Sequence, residues 1–131
     1  MWSNDEASKW VGMDLVSVAP GRAVTRFTVE KKHTNGHEIC HGGVIFTLAD
    51  SAFAFACNSY NKLAVAQHNM ISFVWPGQLG DRLTATAVEI SRQGRSGIYD
   101  VRVTRDDGTV IAEMRGCSRD VPGQHFEEET T

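Results

Sequence analysis

The hydrophobic and polar positions of this chain fall into two patterns, strands of period two and one long apolar stretch. Residues 44–57 are apolar at nearly every position, which predicts a helix that is covered on most of its sides. Residues 22–30 alternate between polar and apolar side chains, which predicts a strand with one buried face. Residues 14–18 predict a preceding strand, and Pro20-Gly21 predicts the turn between the two.

Further strands are predicted after the apolar stretch. Pairs of turn-forming residues mark their ends, and among these pairs Asp107-Gly108 is a strong hairpin signal. The predicted strands are Ala64–Trp75, Arg82–Arg92, Gly97–Arg105 and Thr109–Ser118. We expect them to follow one another in the sheet as an antiparallel meander.

The two ends of the chain complete the predicted order of elements. Ser3 or Asn4 is expected to cap a short first helix that ends at Gly12. Val121-Pro122 and the acidic residues after it predict a flexible tail over about residues 120–131. The sequence therefore predicts one domain over residues 1–131, of the α+β class. A helix that is apolar all round must be wrapped by the sheet or covered by a second subunit.

Composition narrows the class of protein. The 131 residues are 41% hydrophobic, which is enough for a core, and the net charge of −3 argues against a nucleic-acid-binding protein. We predict no membrane association, because no apolar run is long enough to span a bilayer and the first residues lack the pattern of a signal peptide. Three cysteines are too few for a disulfide framework, so we expect a cytoplasmic protein.

Asp50 is the one charged residue inside the apolar stretch. Desolvating a carboxylate is expensive, so Asp50 must be hydrogen-bonded, paired or functional. It has no evident partner, because no Lys or Arg lies between Lys32 and Lys62. Gly42-Gly43 stands just before the stretch, where the free N–H groups of a helix start attract developing negative charge. The alternative is a buried structural carboxylate.

The loop before the helix allows two other chemistries. His33, His37, Cys40 and His41 are spaced as zinc ligands can be, and Cys40 beside His41 could be a thiol nucleophile. Glycines interrupt the segment and no second ligand pair is present, while adjacent side chains seldom point the same way. We therefore expect neither a metal site nor a reactive thiol here.

Several segments of the chain match one known family. They are Asn35-Gly36-His37, Cys40-His41-Gly42-Gly43, residues 46–54, Cys57-Asn58-Ser59, residues 73–77, Gly80-Asp81 and residues 94–100. Over about residues 11–119 the chain resembles the hotdog-fold acyl-CoA thioesterases and, within them, the enzymes of phenylacetic acid degradation. The resemblance implies a sheet wrapped around a central helix, and a homodimer with active sites at its interface that commonly forms a homotetramer. It also implies hydrolysis of phenylacetyl-CoA or hydroxyphenylacetyl-CoA without metal or redox cofactor.

The resemblance assigns catalytic roles to three residues. The backbone N–H of Gly42 and the side-chain amide of Asn35 would hold the thioester carbonyl oxygen, and Asp50 of the partner subunit would act as general base or nucleophile. Two such donors stabilise the oxyanion of the tetrahedral intermediate, and one donor typically contributes on the order of 10²-fold in rate. Asn35 could otherwise be an ordinary turn residue. His41 and Gly43 would belong to the substrate-binding loop.

Two further positions follow from the resemblance. The turn Gly94-Arg95-Ser96 would hold the phosphates of coenzyme A, through Arg95 or Arg92, although it could also be a solvated hairpin. Some relatives place a water-orienting Ser on the strand after the helix. That position corresponds to Ala66, followed by Gln67 and His68, and the sequence leaves open which of the three, if any, replaces the Ser.

The sequence leaves other functions open. A hotdog hydratase or dehydratase would need a catalytic His, either His41 or His68, and a non-catalytic module would bind acyl-CoA without cleaving it. An acyl pocket could be lined by Phe53, Met70 and Trp75, although such residues more often belong to a core.

Overall fold

The computed structural model describes residues 5–126, which form one antiparallel sheet around a long helix. The elements are α1 (Glu6–Val11), β1 (Asp14–Ala19), β2 (Arg22–Thr28), a 3₁₀ helix (Lys31–His33), α2 (Gly42–Cys57), β3 (Ala64–Phe73), β4 (Arg82–Gln93), β5 (Ser96–Arg105) and β6 (Val110–Asp120). The predicted helices and strands are therefore all present. None of the helices in this range is long and apolar enough to cross a membrane.

The order of the strands corrects one prediction. The six strands lie in the order β1-β2-β4-β5-β6-β3, so β4, β5 and β6 form a meander but β3 does not precede β4 in the sheet. Instead β3 pairs with β6, from Ala64 opposite Asp120 to Phe73 opposite Ala112. Because α2 crosses the sheet before β3 begins, β3 lies at the edge opposite β1. The strand that pairs with β2 is therefore β4.

The core lies between α2 and the concave face of the sheet. Leu48, Ala52 and Phe53 of α2 have no exposed surface. The sheet meets them with inward residues at every second position, which include Ala23, Leu83, Ala85, Ala87, Val101 and Val103. The wrapped helix predicted from the sequence is confirmed, and the alanines let the sheet approach α2 closely.

The chain ends differ from the prediction. The N-cap of α1 is Asp5, whose Oδ1 accepts a hydrogen bond from the N–H of Ser8 at 3.0 Å, while the predicted caps Ser3 and Asn4 lie outside the described residues. Gly12 ends the helix with φ of +81°, as predicted.

Residues 121–126, which the sequence assigns to a flexible tail, make hydrogen bonds with the rest of the chain. The N–H of Val121 donates to the carbonyl of Leu63 at 2.8 Å, and Asn61 Oδ1 accepts from the N–H groups of His125 and Phe126 at 3.0 and 3.1 Å. These hydrogen bonds hold the segment against the loop after α2. The rest of the predicted tail lies beyond the described range.

His33 fastens the loop that leads into α2. It is 1% exposed, its Nδ1 accepts from the N–H of Glu30 at 2.8 Å, and Nε2 therefore carries the proton and donates to the carbonyl of Val11 at 2.9 Å. The ring meets Phe27 edge-on at a centroid distance of 4.8 Å. Burial lowers the pKa of His33 from its ordinary 6.5, so the folded protein keeps the ring neutral.

We expect acid to destabilise the protein through His33. Below pH 6.5 the unfolded chain binds a proton that the folded chain excludes, so stability is lost as the pH falls toward the lowered pKa. His33→Leu should abolish this part of the pH dependence. It should also lower the free energy of unfolding by about 1–3 kcal/mol, because the N–H of Glu30 and the carbonyl of Val11 lose their partner. Thermal unfolding between pH 8 and 5 measures both effects. His37→Ala removes an exposed histidine as the control, and parallel curves for wild type and His33→Leu would contradict the prediction.

Candidate active site

A tightly bonded loop positions Asn35. Its two ends are fixed by hydrogen bonds from the N–H of Asn35 to the carbonyl of Ile39, at 2.9 Å, and from the N–H of His41 to the carbonyl of His33, at 2.8 Å. Asn35 Oδ1 accepts from the N–H of His37 at 2.9 Å, which fixes the side-chain amide in one orientation. Its Nδ2 donates to none of the residues that the structure describes. Asn35 is therefore both a turn residue and an available donor.

The start of α2 provides a second donor. His41 is the N-cap, and its Nδ1 accepts from the N–H of Gly43 at 2.9 Å. The N–H of Gly42, the first residue of the helix, has no acceptor within residues 5–126. The helix start thus presents the N–H of Gly42, whereas that of Gly43 is occupied by the capping imidazole.

Asn35 and Gly42 line the same cavity, which has a volume of about 270 Å³. The other lining residues are Ile39, Cys40, Ile45, Phe73, Val74, Trp75 and Pro76. A side chain at Gly42 would bring a Cβ within 3.1 Å of the Phe73 ring, so glycine leaves room for the ring to cover the helix start. Two residues with donors that are unpaired within residues 5–126 therefore line one cavity with an apolar wall.

The three residues considered for an acyl pocket separate in the structure. Trp75 lies on this cavity and is about half exposed. Phe53 is fully buried in the core against Tyr99, and Met70 is 65% exposed on β3. Phe53 and Met70 therefore do not line the cavity at Gly42.

Asp50 lies elsewhere on α2 and has a partner that the sequence did not show. Asn69 of β3 donates from Nδ2 to Asp50 Oδ1 at 3.0 Å. Burial raises the pKa of Asp50, the hydrogen bond from Asn69 opposes this, and the charge of Asp5 raises it further. Eight residues of helix separate Asp50 from Gly42, roughly 12 Å along the axis. The carboxylate of one chain thus lies apart from the donors of that chain.

The irregular pairing of β3 explains why Asn69 was missed. The register between β3 and β6 shifts between Ala66 and His68, which interrupts the alternation of side chains on β3. Ala66, Gln67 and His68 are all exposed, and the β3 side chain that meets Asp50 is Asn69. A bulge has no signature in a single sequence of this kind, so the alternation alone could not place Asn69.

The cysteine and histidines of the loop do not form a reactive site. Cys40 is buried, which raises the pKa of its thiol to about 11, and the ring of His41 is engaged in the helix cap. The thiol is therefore protonated at neutral pH. Within the described part of the chain, no three residues among His, Cys, Asp and Glu are grouped as metal ligands.

The turn at residues 94–96 lies at the other end of the sheet. Gly94 adopts φ of +59°, and Arg95 and Lys62 line a surface depression of about 610 Å³ with residues 120–124. Arg92 is engaged by Asp120, at 3.3 Å, and stacks on the Tyr60 ring.

Of the two arginines considered for phosphate, Arg95 is exposed and has no such side-chain partner among residues 5–126. Ser96 is exposed at the start of β5. Because Lys62 follows the carboxyl end of α2, the turn and Gly42 lie at opposite ends of a 16-residue helix, roughly 24 Å apart.

The sequence and the fold match known proteins. The thioesterase superfamily matches residues 37–112, which include both Gly42 and Asp50. The chain belongs to this superfamily. Acyl-coenzyme A thioesterase PaaI of Escherichia coli K12 is 44% identical over 124 residues, which cover 94% of this chain and 88% of that protein. Human acyl-coenzyme A thioesterase 13 is 34% identical, covering 77% and 74%.

Solved structures of the superfamily agree with the fold. The structure of E. coli PaaI, from the phenylacetic acid degradation operon, superposes with a TM-score of 0.93 at 42% identity and covers 95% of this chain and 90% of that one. The Streptococcus mutans protein smu.793, solved with acetyl CoA bound, gives a TM-score of 0.82 at 26% identity and covers 86% and 90%. The expected hotdog fold and the enzyme class, a thioester hydrolase, are confirmed.

Proposed function

We propose that this thioesterase hydrolyses phenylacetyl-CoA or a ring-hydroxylated form of it, releasing coenzyme A and a carboxylic acid. The observation that carries the proposal is that Asn35 and Gly42, whose side-chain Nδ2 and backbone N–H have no acceptor among residues 5–126, line one largely apolar cavity. The similarity to E. coli PaaI supports the substrate class, and the acetyl CoA bound to smu.793 supports a CoA thioester. We further propose a cytoplasmic enzyme that uses no metal or redox cofactor.

The chemistry follows from the charges that develop. The thioester oxygen would accept hydrogen bonds from Asn35 and Gly42, which become stronger as the carbonyl becomes a tetrahedral oxyanion. With Asp50 as general base, the carboxylate takes a proton from water while the water oxygen bonds to the carbonyl carbon. Collapse of the intermediate expels the thiolate of coenzyme A, which takes up the proton. With Asp50 as nucleophile, its carboxylate bonds to the carbonyl carbon and the C–S bond breaks, so the thiolate of coenzyme A leaves and a mixed anhydride remains, which water then cleaves.

A dimer would bring these groups together. β3 is an edge strand, and Val65, Met70 and Phe73 on it are 49%, 65% and 54% exposed. Antiparallel pairing of two β3 edges is symmetric and buries these side chains. It also reverses one α2 relative to the other, so Asp50 of the partner subunit would approach the end that carries Gly42. We propose this homodimer as the minimal unit and a homotetramer as the full assembly.

The alternative functions have less support. A hydratase or dehydratase would need His41 or His68 near the carboxylate, but His41 caps α2 and His68 is exposed at the bulge of β3. A non-catalytic acyl-CoA-binding module would not gain from a half-buried carboxylate whose pKa is raised by burial.

A free-thiol release assay with a panel of acyl-CoAs tests the reaction. Phenylacetyl-CoA and hydroxyphenylacetyl-CoA should give the highest kcat/KM. Tight binding of these esters without thiol release would contradict hydrolysis and favour the binding module. A preference for long aliphatic esters would contradict the substrate class.

Asp50→Asn should reduce kcat by at least about 10²-fold, because the amide cannot accept the proton of the attacking water. The amide oxygen can still accept the hydrogen bond from Asn69, so the fold should persist. Thiol release and circular dichroism measure the two properties. Turnover near the wild-type rate would contradict the role of Asp50, and loss of folding would favour a structural one.

A mixture of two inactive variants tests the shared site. Asn35→Ala and Asp50→Ala subunits, unfolded and refolded together, should regain part of the wild-type activity because a mixed dimer contains one intact site. Each variant refolded alone is the control. Light scattering should show at least a dimer, and an active monomer of 14.4 kDa would contradict the model.

Arg95→Ala should raise KM for acyl-CoA several-fold with little change in kcat, because the phosphates lie far from the reacting carbonyl. The variant should bind free coenzyme A more weakly, and it should match wild type on a truncated thioester without the nucleotide. Salt should reduce the difference. Arg102→Ala, which removes an exposed arginine from β5, is the control. An unchanged KM at low ionic strength would show that the nucleotide is held elsewhere.

A further inference from the structure

The side chain of Asn69 lies in an unusual position between α2 and β6. Its Nδ2 donates to Asp50 Oδ1 at 3.0 Å, whereas its own Oδ1 is buried and has no hydrogen-bond partner among residues 5–126. A buried carbonyl without a donor is unfavourable, so this orientation needs a compensating interaction. The hydrogen bond to the charged carboxylate is that interaction, since bonds to ionised groups are stronger than neutral ones.

The orientation of the amide depends on the charge of Asp50. Turning the amide by 180° would place Asn69 Oδ1 against a carboxylate oxygen, and two acceptors would then repel each other. Only a protonated Asp50 could donate to Asn69 Oδ1. The observed orientation therefore matches an ionised carboxylate, whereas a protonated Asp50 could bind the amide in either orientation.

The neighbouring strand is shaped to accept Asn69. Gly116 of β6 is the register partner of Asn69, and a Cβ at Gly116 would lie 2.9 Å from Asn69 Oδ1 and 2.7 Å from the Phe53 ring. Any side chain at this position would displace one of the two. Because Gly116 has no side chain, the amide of Asn69 fits between β6 and α2 beside the buried ring of Phe53.

We propose that Asn69 is a positioning residue that keeps the Asp50 carboxylate ionised and in one orientation for attack on the acyl-CoA thioester. This inference rests on the proposed function of Asp50 and extends it to Asn69, a residue to which the family resemblance assigns no role.

Among the described groups around Asp50, Asn69 is the one that favours the ionised carboxylate. The charge of Asp5 on α1 disfavours a second negative charge, and Cys57 on α2 is a buried thiol whose pKa is raised to about 12. Neither favours the ionised state. Burial and Asp5 both raise the pKa of Asp50, and the amide of Asn69 is the group that lowers it.

Asn69→Leu removes the donor and the unpaired carbonyl together while keeping the shape of the side chain. We expect kcat at pH 7 to fall roughly tenfold, as loss of one hydrogen bond to a charged group would give, with KM unchanged. The acid limb of the kcat profile should move to higher pH. Asn69→Asp should move it further, because a second carboxylate beside Asp50 opposes its ionisation.

The control is Ser72→Ala, an exposed position on the same strand, which should keep the wild-type profile. A carbon-13 NMR titration of the Asp50 carboxyl group gives a readout that is independent of turnover, and it should show a higher pKa in Asn69→Leu. A wild-type protein without thioesterase activity would refute the proposed function, while the titration would still test the pairing. The inference would be overturned if folded Asn69→Leu had the same pH profile and the same titration curve as wild type. If Asn69→Leu does not fold, the same result in Asn69→Asp would overturn it.

Discussion

Covering a helix that is apolar on almost every side is the constraint on which this structure depends. Burial of apolar area contributes about 25 cal/mol per Å², and eight of the 16 residues of α2 are buried. The sheet has to curve around α2 to cover it, and small residues such as Ala85 and Ala87 allow a close approach. A sheet that curves without closing keeps two edges, and β3 forms the one beside the start of α2.

Because α2 is largely buried, each polar side chain on it loses hydration free energy unless it forms a hydrogen bond. These side chains find their hydrogen-bond partners in different ways. Thr47 Oγ1 donates to the carbonyl of Gly43 within the helix, at 2.9 Å, and Ser51 Oγ lies 3.2 Å from Ser8 Oγ of α1. Asp50 differs, because its partner Asn69 is itself left with an unpaired buried oxygen. A polar contact that is only half satisfied is uncommon in a core and typical of positions selected for function over stability.

Periodicity predicted most of the fold because α2 and the strands are governed by local patterns. The turn at Asp107-Gly108 and the cap at Gly12 also depend on local backbone preferences, and both are present. The place of β3 and the attachment of the last residues by Asn61 depend on contacts between distant parts of the chain. Such contacts leave no periodic signal, so the sequence could predict neither the place of β3 in the sheet nor these hydrogen bonds of Asn61.

As with the fold, the sequence predicted the parts of the candidate site that depend on local patterns and missed the part that depends on a contact between distant residues. Asn35, Gly42 and Asp50 belong to one continuous segment with fixed spacing, and the cavity that joins the first two follows from the loop and the helix start. Asn69 lies 19 residues from Asp50 and meets it only through the bulged strand β3. Sequence patterns therefore located the groups proposed for chemistry but not the group that orients one of them.

The position of Gly42 and Asp50 on one helix has a consequence for the proposed reaction. A hydrogen-bonded helix is rigid, so two of its positions that are roughly 12 Å apart cannot converge on the same carbonyl carbon. The oxyanion donors and the carboxylate can therefore act together only if they come from two copies of α2. The proposed antiparallel association through β3 would provide that second copy and, by symmetry, form two equivalent sites. In this account, the free edge left by wrapping α2 is what allows a catalytic pair to be assembled from one short segment of sequence.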